Sequence, residues 1–306
     1  MEKHYIYRHN PHLNQKSDSV KRRKMKKIIV TIFSMLIFFN AQAQHKIYSD
    51  PQDKVIFNRY AEYIKTKKNQ PLEKVIIETA KFFLSVPYVA NTLEIEPEGV
   101  VVNLRGLDCT TFVETVYALS YTAKSEDLSF ENFTRHLMRI RYRGDVISDY
   151  SDRLHYTSDW VFENEKKGIV KSIVHTPAWE PIKHKFFVMS TNHEKYKQLK
   201  GNPALTEKIK AVETELNGRD HFYLPTEKIE QNKNLIKSGD VVAFVTTKIP
   251  GIDMTHMGII YKEGGMLTFI HASSSHKKVV LNREPLAVYA KGTGRNVGVI
   301  IARPQL

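Results

Sequence analysis

The chain has one cysteine among its 306 residues, Cys109. Without a second thiol it forms no internal disulfide and no paired-cysteine zinc site. A His-Glu-x-x-His helix, another zinc signature, is missing as well. So are long hydrophobic runs: Ile28–Phe39 spans twelve residues, whereas crossing a bilayer takes about 20. No internal repeat or low-complexity tract occurs. The 46 Lys and Arg outnumber the 33 Asp and Glu, but no basic stripe interleaved with aromatics runs through the chain, so no nucleic-acid partner is expected.

What is present begins with an export signal. The basic cluster from Lys21 to Lys27 precedes the apolar run, and Ala41-Gln42-Ala43 puts small residues where a signal peptidase reads. This pattern predicts a secretory signal over residues 1–43, cleaved before Gln44, with Met25 a better start for it than Met1. No cysteine follows that would carry a lipid. A soluble, monomeric protein, periplasmic or secreted and without membrane insertion, is therefore expected. Removing residues 1–43 leaves 37 basic against 31 acidic residues, a net charge of +6. That excess suits a polyanionic partner and plain solubility equally.

Residues 44–306 read as a single domain, with about 144–234 as an insertion or substrate-side subdomain. Apolar spacing predicts helices over Asp53–Lys67, Pro71–Leu84, Cys109–Ala123 and Phe130–Arg141, and another near Thr206–Leu216. Strands are predicted over Val241–Val245, His256–Tyr261, Met266–Ala272, Lys278–Leu281 and Asn296–Ala302, with a short one at Val100–Val102. Helices followed by strands give an α+β class, with helices layered on an antiparallel sheet.

Cys109 opens its predicted helix, a position that stabilises a thiolate, and Asp108 or Thr110 is placed to cap it. The plain alternative is a small buried hydrophobe. In the β region, a turn about the Glu263–Gly264 bond sets Lys262 opposite Gly265 and His256 opposite His271. Opposed side chains share a face. One imidazole then acts as base and the other fixes its tautomer. A three-residue loop would put Ala272 opposite His256 instead. A zinc site from His256, His271 and His276, helped by Asp253, is the weaker reading, because no ligand motif supports it. No metal or other cofactor is expected.

Pro87-Tyr88-Val89, Asp108-Cys109, Ser238-Gly239-Asp240-Val241-Val242-Ala243-Phe244, His256-Met257-Gly258-Ile259-Ile260-Tyr261 and Phe269-Ile270-His271-Ala272 come in the order found in the NlpC-type, papain-like cysteine peptidases of bacterial cell walls, which the chain resembles. Thr110-Thr111-Phe112-Val113-Glu114 replaces the usual Ser-Gly after the cysteine. With Arg141-Tyr142-Arg143-Gly144 and Trp160-Val161-Phe162-Glu163-Asn164, it resembles the narrower N-acetylmuramoyl-L-alanine amidase-like branch. The resemblance implies a helix bearing the cysteine packed on an antiparallel sheet or half-barrel, with Cys109 as nucleophile, His256 as base and His271 orienting it. It also implies peptidoglycan or muropeptides as substrate and the lactyl-to-L-alanine amide as the scissile bond.

The expected mechanism runs through a thiolate–imidazolium pair and a thioester. The backbone N–H of Cys109 and the Tyr88 hydroxyl would receive the oxyanion. Asn103, Arg105, Arg153, His155 and Trp160 are candidate substrate contacts, because muropeptides present carboxylates and sugar faces. An endopeptidase using the same three residues, a non-catalytic wall-binding module and an acyltransferase remain as rival readings.

Overall fold

The computed structural model describes Met1 and residues 45–306 except 145, 176 and 293. The signal-peptide reading lies outside the described residues. Near the start, β1 (Ile47–Tyr48) pairs in parallel with β2 (Val100–Val101). Between them run α1 (Pro51–Ile64) and α2 (Leu72–Phe82). The Asp50 carboxylate accepts from Gln52 N while Asp53 reaches back to Asp50 N. That capping box starts α1 two residues before the position expected from apolar spacing.

Next come α3 (Cys109–Lys124) and α4 (Phe130–Arg141). Ser129 accepts from Asn132 N at the start of α4, and Arg139 and Arg141 close it, where positive charge offsets the helix dipole. Nearly all of α3 is buried, far beyond an amphipathic stripe. Packing against α2, α4 and the sheet explains this.

The middle of the chain holds α5 (Thr157–Lys166), β3 (Val170–Ser172), β4 (Glu180–Ile182), α6 (Val188–Thr191), α7 (Pro203–Asn217) and β5 (His221–Pro225). A small core of its own gathers Tyr150, Tyr156, Phe186, Leu205 and Leu216. Its strands nevertheless join the main sheet, since β3 and β5 both pair with the last strand.

β6 (Val241–Val245), β7 (Met254–Glu263), β8 (Met266–Ser273), β9 (Lys278–Leu281), α8 (Leu286–Gly292) and β10 (Gly298–Pro304) complete the chain. The sheet runs β4-β5-β10-β6-β7-β8-β9, with β3 also on β10, and its pairings are antiparallel. The run Val241-Val242-Ala243-Phe244-Val245 is apolar throughout because both of its faces are covered. Val241, Ala243 and Val245 enter the core shared with α3, whereas Val242 and Phe244 enter a second core under α8. Among the described residues no helix is long and apolar enough to cross a membrane.

Candidate active site

Asp108 sets the position of Cys109. Its Oδ1 accepts from Thr111 N at 2.8 Å and from Thr111 Oγ1 at 2.9 Å, while Thr111 Oγ1 takes the Asp108 N–H at 2.9 Å. Of the two cap candidates, Asp108 does the capping. α3 therefore starts at the cysteine, and the Tyr117 hydroxyl, donating to Gly239 O at 2.8 Å, ties the helix to the turn before β6. Gly239 has φ of +88°, and a Cβ there would lie 3.0 Å from Glu73 Cα, so the turn requires glycine.

His256 and His271 come together by a register other than the one expected. The β7–β8 hairpin turns on Gly264-Gly265, both at positive φ, and pairs Glu263 with Met266 and Ile259 with Ile270. Extending that ladder sets Gly258, not His256, against His271. The slip is two residues, so both histidines keep one face and meet diagonally. His256 Nε2 lies 2.6 Å from His271 Nδ1. A Cβ on Gly258 would stand 2.8 Å from Ile270 O and 3.1 Å from His271 Cβ. The glycine is thus the space through which the two rings approach.

A ladder irregularity between Phe244 and Val245 pairs His256 with Phe244 but Met254 with Val245. Such a bulge re-aims side chains locally. Phe244 stacks beside His256 at 5.9 Å between centroids, Phe269 lies 4.5 Å from His271, and Tyr289 of α8 touches both imidazoles. Burial holds His256 down to about 4, and burial with the neighbouring His256 and His276 holds His271 down to about 3. Both rings are neutral at pH 7.

Cys109 and His256 line one cavity of about 630 Å³. Thr110 Oγ1 lies 4.0 Å from the sulfur, and the backbone N–H groups of Met257 and Thr110 act to lower the thiol pKa. No hydrogen bond joins it to either imidazole among the described residues. Burial, then the Asp108 carboxylate, pushes the thiol up to about 11. The helix start does not outweigh burial here, so the resting pair is a neutral thiol and a neutral imidazole rather than the expected ion pair. Burial, with the sulfur nearby, also raises the pKa values of Tyr88 and Tyr289. Tyr88 is half-buried and bridges to Leu107, beside the start of α3.

The expected substrate contacts divide. His155 lines the cavity, with Nε2 2.8 Å from Tyr150 O. Trp160 is 1 % exposed and packs edge-on against Tyr117, so it is a core residue and not a stacking platform. Arg153 is buried behind the wall, ion-paired with Glu94 and Glu98 and stacked on Tyr150. Arg105 faces Asp50 and Asp53 at the start of α1. Asn103 Oδ1 closes a turn by accepting from Arg105 N and Gly106 N. None of these four lines the cavity.

Sequence reasoning missed Tyr150, Tyr156, Lys195 and Tyr196 on the cavity wall, and Tyr289 beside the imidazoles. They come from segments without a local motif. Of the residues weighed for zinc, Asp253 accepts from Ser158 N and Met254 N, and His276 Nδ1 lies 3.0 Å from Ser273 Oγ. Among the described residues no group of three His, Cys, Asp or Glu is disposed to hold a metal ion.

Comparison with known proteins gives this geometry a family. No curated sequence matches the chain significantly. A solved N-acetylmuramoyl-L-alanine amidase from Bacteroides uniformis is similar at 34% identity and a TM-score of 0.73, over 77% of this chain and 99% of that one. A Bacteroides fragilis structure, described provisionally as a xylanase, matches at 35% identity and a TM-score of 0.69, over 74% and 99%. A Legionella pneumophila protein at 21% identity, with a TM-score of 0.61 over 83% and 95%, shares the fold. The sequence profile of the AmiA-like, N-acetylmuramoyl-L-alanine amidase-like family matches residues 78–295, and the chain belongs to that family.

Proposed function

We propose that this protein is an exported cysteine amidase of papain-like, NlpC-type architecture that hydrolyses the amide between N-acetylmuramic acid and L-alanine in peptidoglycan or its fragments. One observation carries the reading. The only thiol, at the first residue of α3, opens on the same cavity as an imidazole that a second imidazole holds at 2.6 Å, in a chain of an amidase-like family.

In this mechanism His256 Nε2–H donates to His271 Nδ1, leaving His256 Nδ1 free to take the thiol proton. His271 then carries its proton on Nε2, a buried atom with no hydrogen-bond partner among the described residues. Substrate entering the cavity closes the gap between sulfur and base, as catalytic contacts loose in a free enzyme tighten on binding. Sγ attacks the lactyl carbonyl carbon as its proton passes to His256, and the oxyanion is received by the Cys109 N–H and the Tyr88 hydroxyl. His256 then protonates the leaving L-alanine nitrogen as the C–N bond breaks. Water, giving a proton to His256, cleaves the thioester to the free acid and restores the thiol.

A glycoside-cleaving site needs two carboxyl groups flanking its bond. The carboxylates on this cavity are Glu94, paired with Arg153, and Asp253, held by two backbone N–H groups. That arrangement favours acyl transfer over the xylanase description of one relative. The test is mass spectrometry of muropeptides incubated with the wild type and with Cys109→Ala. Release of L-alanine-headed peptide by the wild type alone is expected. Cleavage within the stem peptide would show an endopeptidase, and no difference between the two proteins would show a binding module.

A further inference from the structure

Around the cavity, the cations are paired almost everywhere. Glu94 is paired with Arg153 at 3.2 Å and Lys197 with Glu96 at 3.1 Å. Asp253 takes backbone N–H groups at 2.6 and 2.9 Å. Burial keeps His155 neutral down to about 3 and His256 down to about 4. Lys195 is what remains: it lines the cavity, is exposed, and makes no ion pair with a described residue. An unpaired ammonium on the cavity wall is complemented by an anion.

We propose that Lys195 is a specificity-determining residue that receives a carboxylate of the peptide leaving group, so that the substrate is a muramoyl peptide with a free carboxylate beyond its L-alanine. This rests on the amidase reading and deepens it. The two halves of such a substrate differ in charge. Once the lactyl carboxyl is tied up in the scissile amide, the sugar half has no carboxylate, while the peptide half keeps its own. The peptide half therefore lies along the Lys195 wall and the sugar half away from it. A lysine suits this role, as a compact charge with three donors on a flexible stem that adapts to a mobile peptide terminus.

The experiment uses two substrates that differ in one group: a muramoyl dipeptide with a free C-terminal carboxylate, and its carboxamide. Wild type, Lys195→Met and Lys195→Arg are compared by kcat/KM, with products weighed. The wild type is expected to favour the acid by about tenfold, as for a charge-assisted hydrogen bond. Added salt should shrink that preference. Lys195→Met should lose it, its acid-to-amide ratio falling to about one, and Lys195→Arg should keep it. Equal wild-type rates on acid and amide, or a preference that survives in Lys195→Met, overturn the Lys195 assignment and leave the amidase reading standing. Cleavage at another bond, or none, overturns that reading and this inference with it.

Discussion

Gly258 gives the sharpest test of the imidazole pair. A methyl group there would meet Ile270 O and Phe269 Cδ2 at 2.8 Å and His271 Cβ at 3.1 Å. Ordinary contacts lie at about 3.5 Å, so the neighbours must yield by roughly 0.4–0.7 Å. Ile270 O is strand backbone and has no rotamer to change, which leaves β8, carrying His271, to move away from β7. A 2.6 Å ring-to-ring bond cannot absorb that shift. Overpacking of this kind costs about 1–3 kcal/mol of stability. If His271 orients the base as proposed, displacing it by a fraction of an ångström, up to 1 Å, costs up to about 10²-fold in rate. For Gly258→Ala, a muropeptide assay should show kcat down by one to two orders of magnitude with KM little changed, since Gly258 is not on the cavity wall. Denaturant melts run alongside give the folded fraction by which the rate is corrected. A fully folded Gly258→Ala with wild-type kcat would refute the claim that this glycine sets the approach of the two histidines.

Two further outcomes are expected. Because burial depresses the His256 pKa, the proposed base stays neutral well below an ordinary imidazole's value near 6.5, and kcat/KM should hold through that pH and fall as pH drops through about 4. Circular dichroism at each pH separates titration from unfolding, and an acid limb at 6.5 in folded protein would contradict the burial argument. Glu114 and Arg141, 1 % and 2 % exposed, are paired at 2.6 Å. Glu114→Ala strands the guanidinium and should cost about 3–5 kcal/mol in denaturant melts, a loss under about 1 kcal/mol showing that Val101 O and other groups suffice for Arg141.

The parts of the site that local pattern controls were legible in the sequence. Asp-Cys before an apolar helix gave the start of α3, and the unbroken Val241–Val245 run gave β6 with its bounds. Hairpin parity placed His256 and His271 on one face, but the register slipped by two. Gly264-Gly265, both at positive φ, form the two-residue turn that matches strand twist. Contacts made at long range were not legible. Arg153 and Trp160 have the chemistry of carboxylate pairing and sugar stacking, but their partners are Glu94, Glu98 and Tyr117, some forty to sixty residues away in the chain. The strands β3, β4 and β5, three to five residues each, are too short to show a period. Packing against β10 and each other, not propensity, makes them strands.

A sulfur whose proton burial holds up to about 11 is almost wholly un-ionised near neutrality. Peroxides and disulfides react with the anion and largely ignore its conjugate acid. A chain with no second cysteine to repair an oxidised first one keeps its only thiol usable by leaving it dormant. In the mechanism proposed above, that thiol turns reactive only when an acyl carbonyl arrives to accept its electron pair.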